Sequence, residues 1–394
     1  MTSEAYDIVI VGGGINGAGV AQAAAAAGFK TLLLEKNDQP GLETSSSSSK
    51  LIHGGLRYLE SLNLSLVRES LLERSLLLTL APDLVKLQTF NIPIYKNTAR
   101  SRLTLHAGLS LYALLSGLKK ESFYHLVKEN HWSDLDQLSV KNLKAVFQYQ
   151  DAQTDDHALT LAVMSSAISL GAEFLCNAQV ENAEIHPSSV SIHYHHSGHI
   201  KTVNSRVFIN ASGPWIYTMN QTIKPVPTMQ KPELIQGTHL IMNAAVKQAY
   251  YLEAPQDQRA VFLMPWKGQS LLGTTEQLYQ GDPSKVSPLK HEKEYLIEVL
   301  NHYFPTLDHS VTGDMAGCRV LTTTEKNPFN RSREIVLAVD NKTQPRVISM
   351  IGGKLTVYRR TAQKVMQLIG PSLPNKQAIA DTAKTTLNPV ERIC

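Results

Sequence analysis

The chain has 394 residues, of which 43% are hydrophobic and 18% are charged, so its composition is that of a folded protein and excludes a disordered one. Its formal net charge of +4 permits a site for an anionic ligand but excludes the strongly basic footprint of a nucleic-acid-binding protein. The three cysteines, Cys176, Cys318 and Cys394, lie far apart and include no Cys-x-x-Cys pair. This spacing argues against a disulfide scaffold or a structural zinc site and fits a reducing compartment.

The N-terminal segment predicts a strand, a glycine turn, a helix and a second strand. The apolar run YDIVIV is typical of a buried parallel strand, and it ends in a Gly-x-Gly-x-x-Gly motif formed by Gly12, Gly14 and Gly17. An alanine-rich helix follows, and the next strand ends at Glu35. In this order of elements, the N–H groups at the helix N-terminus face a pyrophosphate and the acid accepts hydrogen bonds from a ribose diol. The segment therefore predicts a Rossmann-like dinucleotide site.

The stretch TSSSSSKLIHGGLRYLE comes next, and a serine run of this kind is often a flexible linker. Here, apolar residues continue directly after it at helical spacing, with no break in composition. Its hydroxyl and N–H groups can donate to phosphate oxygens, and the pair Gly54-Gly55 lets the chain pass close to a flat ring. We therefore interpret the stretch as part of a cofactor site, which favours FAD over a nicotinamide cofactor. Arg57 and Tyr58 are expected to point beside the ring.

The longest apolar run, LTLHAGLSLYALLSGL, is too short and too interrupted by His106 and Gly108 to span a bilayer. Four basic residues flank it: Arg100, Arg102, Lys119 and Lys120. We favour a buried helix in a second domain, and the alternative is an element that lies on an anionic membrane surface. No targeting segment is recognisable at the N-terminus. We expect a cytoplasmic protein, either free or peripheral on the cytoplasmic face of the membrane.

A cluster of histidines in SIHYHHSGHI could suggest a metal site: His193, His195, His196 and His199. Apolar residues alternate with these histidines, and Ser197-Gly198 is a turn pair. The pattern predicts a hairpin with a polar outer face, and no carboxylate or cysteine joins the cluster in the sequence. We therefore predict that the protein holds no metal.

The chain resembles the FAD-dependent glycerol-3-phosphate dehydrogenases, which belong to the glycine/D-amino-acid oxidase-like group of flavoproteins. SSKLIHGGLRYLE and GGKLTVYR are the specific segments, and NASGPW, GTHLIM, FLMPW and LLGTTE occur between them in the family's order. The chain departs from the family pattern at three places. Val320 replaces the proline of an arginine-proline-leucine segment, Glu276 replaces an aspartate, and the chain ends at Cys394 where bacterial members typically continue into a helical domain.

The resemblance implies an α/β and α+β architecture in which two domains are interleaved. A Rossmann-like FAD-binding domain is expected to comprise residues 1–80, 151–225 and 333–394. A substrate domain built on a mostly antiparallel sheet is expected to comprise residues 81–150 and 226–332. A homodimer is left open.

The resemblance also implies which residues contact FAD. In addition to the glycines of the motif and Glu35, the expected contacts come from three segments: Thr44, Ser45, Ser49, Lys50, His53, Gly54, Gly213, Gly352, Gly353, Lys354, Leu355 and Thr356. Lys354, with the N–H groups of a helix that begins near Thr356, is expected to stabilise the negative charge on the reduced flavin. A covalent bond between Cys318 and the flavin is less favoured than a buried free thiol.

Oxidation of an alcohol by a flavin needs residues that hold the substrate and remove its hydroxyl proton. We expect Arg57 and Arg319 to bind a substrate phosphate, because guanidinium groups bind phosphate bidentately, and Tyr58 and Thr274 to add neutral hydrogen bonds. His239 is the candidate base, since the ordinary pKa of imidazole suits proton transfer near neutral pH. The alternative is a strand histidine that only hydrogen-bonds the flavin or the backbone.

The implied reaction is oxidation of sn-glycerol 3-phosphate to dihydroxyacetone phosphate, with hydride transfer to flavin N5 and electron transfer to a quinone-type acceptor. Two alternatives stay open. A related flavoenzyme could oxidise an amino acid or a 2-hydroxy acid, with the arginines bound to a carboxylate. A flavin-binding protein could also have lost catalysis, although such a protein would not need both the substrate-side arginine and Lys354.

Overall fold

The computed structural model describes residues 5–59, 62–322 and 334–394. The α-helices of these residues, numbered in chain order, are α1 (Ile15–Ala26), α2 (Leu64–Leu80), α3 (Arg102–Leu115), α4 (Asp156–Ser169), α5 (Ile216–Gln221), α6 (Lys290–Tyr303) and α7 (Tyr358–Ile369). Short 3-10 helices lie at Thr44–Ser46, Leu56–Leu59, Lys120–Ser122, Glu129–Asp134, Gly213–Trp215, Pro283–Lys285, Leu355–Val357 and Gly370–Ser372.

The first of two sheets has nine strands among the described residues and a parallel centre. Its strands are β1 (Ala5–Val11), β2 (Thr31–Leu34), β7 (Glu173–Leu175), β8 (Gln179–Ile185), β9 (Val190–His196), β10 (His199–Asn210), β11 (Ile223–Lys224), β18 (Val336–Val339) and β19 (Val347–Ile351). β1 lies between β2 and β10 in parallel register, and β19 pairs in parallel with β10. Helix α1 packs between α4 and α7 on this sheet, so the predicted strand-turn-helix start lies in its core.

The second sheet has ten strands within the described ranges, and most of its pairs are antiparallel. Its strands are β3 (Leu51–Ile52), β4 (Val85–Tyr95), β5 (His125–Leu126), β6 (Leu143–Thr154), β12 (Glu233–Met242), β13 (Ala249–Glu253), β14 (Ala260–Trp266), β15 (Gln269–Gly273), β16 (Gln277–Tyr279) and β17 (Val311–Leu321). The parallel exception is the short pairing of β13 with β4. A parallel-centred sheet beside a mostly antiparallel one is the architecture predicted from the sequence.

The sheets divide the chain differently from the predicted domains at two places. β3 pairs with β6 in the second sheet, although residues 51–52 fall within the predicted FAD-binding segment. β6 itself runs across the predicted boundary between residues 150 and 151. The boundary between residues 332 and 333 lies outside the described residues. The interleaved domain limits therefore stay a prediction.

The apolar run of residues 103–118 forms α3, whose N-terminus is capped by the Ser101 side chain. Leu105 and Leu109 are buried against the second sheet, whereas Leu103 and Leu114 are 81% and 60% exposed. The favoured prediction of a buried helix is therefore right for one face and wrong for the other. Among the residues described, none of the helices combines the length and the apolar character that crossing a bilayer requires.

The histidine-rich segment forms the predicted hairpin of β9 and β10, with Ser197-Gly198 at the turn. His195 lies on the exposed side, where its Nε2 is 3.3 Å from a Glu181 oxygen, so a carboxylate that the local sequence does not contain joins it from β8. Across the described parts of the chain, no group of three or more His, Cys, Asp or Glu residues could hold a metal ion.

The spacing of the cysteines argues against a disulfide scaffold, but two of the three cysteines are paired in the structure. A disulfide joins Cys176 to Cys394, whose Cα atoms are 6.7 Å apart across a sequence separation of 218 residues. After α7 the C-terminal segment passes the ends of α1 and α2, where the Ile379 N–H donates to the Ala26 carbonyl and the Leu387 N–H donates to the Leu80 carbonyl. The wide sequence spacing therefore carries no information about distance in the fold. Cys318 is free and buried.

Candidate active site

The glycine turn between β1 and α1 packs so closely against its surroundings that side chains would not fit. Gly12 has a φ of +102°, and a Cβ at this position would lie 2.5 Å from the Ala211 carbonyl oxygen. A Cβ on Gly17 would lie 2.0 Å from the Gly12 oxygen, so glycine at 17 is what lets α1 pack onto the turn. Gly14 is the N-cap residue of α1 and has no capping side chain of its own. The N-terminus of the helix is thus left close to the neighbouring cavity, where an anion is stabilised.

Glu35 is buried immediately after β2 and closes the same turn. Its Oε2 accepts a hydrogen bond from the Gly13 N–H (2.6 Å), and its Oε1 accepts one from the Asn37 N–H (2.8 Å). Burial raises the pKa of the carboxyl above its ordinary value, although these two N–H groups oppose the shift. The acid therefore braces the glycine turn at the rim of a cavity of about 380 Å³, which we call the Glu35 cavity.

A second cavity of about 230 Å³, the Lys354 cavity, continues from the first. Gly14, Thr44, Ser45 and Gly213 line both cavities. The predicted residues that line the second cavity but not the first are Ser49, His53, Arg319, Gly352, Gly353, Lys354 and Leu355. Two cavities joined at a helix N-terminus fit the shape of a dinucleotide, with its diphosphate at the junction.

The serine loop, residues 44–50, contributes to this junction through specific contacts. Ser45 Oγ accepts a hydrogen bond from the Ile15 N–H (3.0 Å) in the first turn of α1. Thr44 Oγ1 donates to the Cys318 carbonyl (2.8 Å), which ties the loop to β17. The serine run is therefore an ordered wall of the cavities, consistent with its interpretation as part of a site.

Lys354 extends from the end of β19 towards the serine-rich stretch. Its Nζ donates to the His53 carbonyl (2.6 Å) and to Ser70 Oγ (3.2 Å), and lies 5.1 Å from the centre of the Tyr58 ring. A 3-10 turn precedes α7, so the α-helix begins two residues later than expected, at Tyr358. The ammonium group is thus held between the Lys354 cavity and the Tyr58 ring.

Five predicted site residues do not line the Glu35 or Lys354 cavity or the Arg57 pocket described below: Gly17, Lys50, Gly54, His239 and Thr356. Gly17 acts through helix packing, and the Thr356 hydroxyl accepts from the His53 N–H (3.2 Å). The Gly54 N–H donates to the Tyr112 hydroxyl (2.8 Å). Lys50 is 4% exposed and forms an ion pair with buried Asp156 (2.5 Å), so it supports the serine loop from behind.

A small pocket of about 80 Å³, the Arg57 pocket, lies beside the Lys354 cavity and shares Ser49 and His53 with it. The predicted substrate residues Arg57, Tyr58 and Thr274 line it. Arg319 lines the adjoining cavity instead, but its Nη2 donates to Thr274 Oγ1 (3.0 Å). The structure therefore brings the predicted substrate residues together at one end of the cofactor cavities.

Two charged residues of this pocket escaped the prediction of substrate contacts from the sequence. Glu276 places its Oε1 2.7 Å from Arg319 Nη1 and 3.6 Å from Arg57 Nη2. Arg259 lines the pocket, donates to the Glu276 carbonyl (3.0 Å) and pairs with Asp257. The departure from the family's aspartate singled out Glu276 in the sequence but did not indicate these partners. No comparable local pattern distinguishes Arg259.

His239 is 1% exposed on β12, and its Nε2 lies 2.9 Å from Ser49 Oγ. Burial, and then the nearby charges of Arg319 and Lys50, lower the pKa of the imidazole to about 3. The ring is therefore neutral near pH 7, and it reaches the Arg57 pocket through the Ser49 hydroxyl. Its Nδ1 has no hydrogen-bond partner.

Cys318 lines the Lys354 cavity next to Arg319. Burial raises the pKa of its thiol to about 11. A thiol with this pKa is protonated near pH 7, and the thiolate is the reactive form, so the surroundings of Cys318 do not activate it.

Residues 7–359 match the model of the family described as FAD dependent oxidoreductase. The chain is 34% identical to a glycerol-3-phosphate dehydrogenase of Pseudomonas aeruginosa over 380 residues, covering 95% of this chain and 73% of that protein. It is 30% identical to an aerobic glycerol-3-phosphate dehydrogenase of Staphylococcus haemolyticus, covering 95% of this chain and 68% of that protein.

Solved structures show the same relationship. The glycerol-3-phosphate dehydrogenase of Bacillus halodurans complexed with FAD superposes with a TM-score of 0.74 at 27% identity, covering 98% of this chain and 68% of that chain. The L-α-glycerophosphate oxidase of Mycoplasma pneumoniae with FAD bound gives a TM-score of 0.79 at 15% identity, covering 98% and 100%, which is a likeness of fold. The predicted fold class and the predicted FAD cofactor are confirmed, and this chain belongs to the FAD-dependent oxidoreductase family.

Proposed function

We propose that this protein oxidises sn-glycerol 3-phosphate to dihydroxyacetone phosphate with FAD as the hydride acceptor. The observation that carries the proposal is the Arg57 pocket, which groups guanidinium side chains with Tyr58 and Thr274 next to the Lys354 cavity. A pocket rich in guanidinium groups suits a phosphate dianion, which an amino acid or a neutral polyol does not carry.

The residues of the joined cavities fit FAD. The Glu35 cavity would hold the adenosine half, with the Glu35 carboxylate beside the ribose, and the α1 N-terminus would face the diphosphate. The Lys354 cavity would hold the flavin half, where the Lys354 ammonium stabilises negative charge. When bound, FAD supplies the two-electron acceptor that the protein's own side chains lack.

The substrate would lie in the Arg57 pocket. Arg57 and Arg319 would bind the phosphate, and Tyr58 and Thr274 would add neutral hydrogen bonds. Because Arg319 bonds to Thr274 Oγ1 and also lines the Lys354 cavity, it is placed to orient the carbinol group as well. These roles account for the arginine on each side of the pocket.

The hydroxyl proton would leave through Ser49 to His239. Ser49 lines both the Lys354 cavity and the Arg57 pocket, and His239 lies behind it at hydrogen-bond distance. A neutral imidazole can accept a proton. Burial is the main cause of its low pKa, and the negative charge of a bound phosphate would oppose only the smaller effect of Arg319. In this step His239 acts as the base through the Ser49 hydroxyl, without direct contact with the substrate.

The electrons would pass to a quinone-type acceptor at a membrane surface. A fourth cavity of about 230 Å³ lies under α3 and shares Leu56, Arg57 and Tyr251 with the Arg57 pocket; leucines and an alanine make up half of its lining. The exposed leucines of α3 and its flanking basic residues suit peripheral contact with anionic lipid on the cytoplasmic side. Vesicle sedimentation with and without anionic lipid tests this contact. Light scattering would test the homodimer.

Anaerobic mixing of the purified protein with glycerol 3-phosphate, glycerol and lactate tests the function. We expect the yellow flavin absorbance to bleach with glycerol 3-phosphate. Bleaching by lactate or an amino acid instead would move the assignment to the carboxylate-oxidising alternative. If no substrate bleaches a fully loaded flavin, the protein is a non-catalytic flavin-binding protein.

A further inference from the structure

A carboxylate already occupies the position between the two arginines of the substrate pocket. The Glu276 side chain is 9% exposed, and its Oε1 contacts both Arg319 Nη1 (2.7 Å) and Arg57 Nη2 (3.6 Å). Of the residues that the structure describes around this pocket, Glu276 is the one carboxylate in the lining. An anion is thus built into the place that the substrate phosphate is proposed to take.

The fold holds this carboxylate firmly. Glu276 follows β15, and its carbonyl accepts a hydrogen bond from Arg259 Nη1 (3.0 Å). Gly237 on β12 leaves space for the Arg319 guanidinium, because a Cβ at position 237 would lie 2.7 Å from Arg319 Nη2. The backbone of residue 276 and the guanidinium of Arg319 are therefore both held in place. The Glu276 carboxylate lies between this backbone and the guanidinium that it contacts.

The length of the side chain matters. Glutamate is one methylene longer than aspartate, and in this structure a single oxygen of Glu276 contacts a guanidinium on either side. A phosphate dianion that approaches the same pair meets a like charge and must displace or share its contacts. Two arginines that are paired in advance also keep a fixed geometry, so fewer side-chain conformations are lost on binding.

We propose that Glu276 acts as an internal counter-ion that competes with the substrate phosphate for Arg57 and Arg319 and so sets substrate affinity. This inference rests on the proposed function, because it takes the ligand of the pocket to be a phosphate ester. Glu276 is a positioning residue: it acts through the arginines and takes no part in bond breaking. It weakens the binding of anions and holds the arginines in place for them.

Isothermal titration calorimetry of the FAD-loaded protein with inorganic phosphate tests the competition directly. Glu276→Gln removes the charge and keeps the shape, and we expect its dissociation constant for phosphate to fall about tenfold. Glu276→Asp withdraws the carboxylate from Arg57 and should give a smaller decrease, about threefold. Asp314→Asn is the matched control, since it removes a carboxylate whose partner is Lys293 and neither residue lines the Arg57 pocket or the Lys354 cavity, and it should change the constant less than twofold.

Steady-state kinetics supply the second measurement. For Glu276→Gln we expect KM for glycerol 3-phosphate to fall by a similar factor, with kcat changed less than about threefold. Unchanged or weaker phosphate binding by both Glu276 variants would overturn the inference. So would a large loss of kcat at unchanged phosphate affinity, which would place Glu276 in the chemistry. If glycerol 3-phosphate fails to bleach the wild-type flavin, the proposed function is wrong. The calorimetric titration with inorganic phosphate still tests separately whether Glu276 competes with anions for the two arginines.

Discussion

Two ion pairs near the cofactor cavities use the same chemistry for different purposes. The Lys50–Asp156 pair is 5% and 0% exposed, and the Ser48 N–H supplies a further hydrogen bond to the carboxylate. The Arg319–Glu276 pair is 22% and 9% exposed and lies where the Lys354 cavity meets the Arg57 pocket. The buried Lys50–Asp156 pair, which solvent does not reach, supports the serine loop. The Arg319–Glu276 pair lies at an open pocket, so Arg319 can exchange its carboxylate partner for a ligand. Solvent access, rather than charge, separates the two roles.

The largest expected effect breaks the buried pair. Lys50→Met leaves Asp156 as an uncompensated buried charge, so we expect the free energy of unfolding to fall by about 3–5 kcal/mol. Arg319→Met removes a partner from a pair that water reaches, and it should cost about 1 kcal/mol or less. Chemical denaturation followed by circular dichroism measures both. Equal losses for the two variants would contradict the distinction.

The open pair should control substrate choice instead. Hydrogen bonds to charged groups contribute roughly 1.5–3 kcal/mol each, so the wild type should prefer glycerol 3-phosphate over glycerol by at least about a hundredfold in kcat/KM. Arg57→Met and Arg319→Met should each remove most of that preference, and flavin content should stay normal in Arg57→Met, because Arg57 does not line the Lys354 cavity. Reduction of an artificial acceptor with each substrate measures it.

The matched control is Lys293→Met, which removes a cation whose partner is Asp314, away from the cavities. This variant should keep the wild-type preference. If the wild type used glycerol nearly as well as the phosphate ester, or if both arginine variants kept full preference, the assignment of the phosphate site would be wrong.

A third, smaller effect concerns the neutral histidine between the two pairs. The pKa of His239 is lowered from 6.5 to about 3 in the folded protein, so the unfolded chain binds more protons than the folded one between these values. The contribution of His239 to stability is complete above pH 6.5 and falls by about 1.4 kcal/mol per pH unit below it. At pH 5 the loss should be about 2 kcal/mol.

Replacement of His239 by asparagine tests this dependence. Unfolding experiments between pH 5 and 7.5 should show a shallower loss of stability in His239→Asn than in the wild type. An identical slope in the two proteins would mean that other groups cause the acid sensitivity.

The smallest expected effect is on Cys318, which lines the same cavity as Arg319. Since its thiol is buried with a pKa of about 11, iodoacetamide at neutral pH should leave it unmodified and activity unchanged. Denaturation should separate all of the flavin from the protein. Flavin that stays attached to a peptide containing Cys318 would show the covalent bond that we consider less favoured.

Local geometry explains what could be predicted from the sequence. Glycine is required at position 12 by a positive φ and at position 17 by the close approach of the Gly12 carbonyl, so the spacing of these two glycines is visible in the sequence itself. This segment predicts the parallel-centred sheet, and the serine-rich stretch together with the family resemblance predicts FAD; both predictions are confirmed. The assignments of individual residues to cofactor, substrate or catalysis stay predictions.

Long-range pairing explains what could not be predicted. The family resemblance places Lys50 among the cofactor contacts, whereas the carboxylate that pairs with its ammonium group, that of Asp156, is 106 positions away. The contacts of Glu276 with Arg319 and Arg57, and the disulfide of Cys176, likewise depend on residues that only the fold brings close. The sequence shows which side chains are ionisable. Their burial and their partners in the fold determine whether each one supports the structure or binds a ligand.

The pairing of the chain's early and late strands has a consequence for biosynthesis. β1 receives its neighbour β10 only after more than half of the chain has been made, and β19, which carries the turn before Lys354, pairs with β10 later still. In a nascent polypeptide that has not yet reached β10, the N-terminal glycine turn therefore lacks the residues of 211–222 that line the other side of the Glu35 cavity. We expect flavin to be incorporated after translation ends, so growth with too little riboflavin should yield apoprotein rather than stalled fragments.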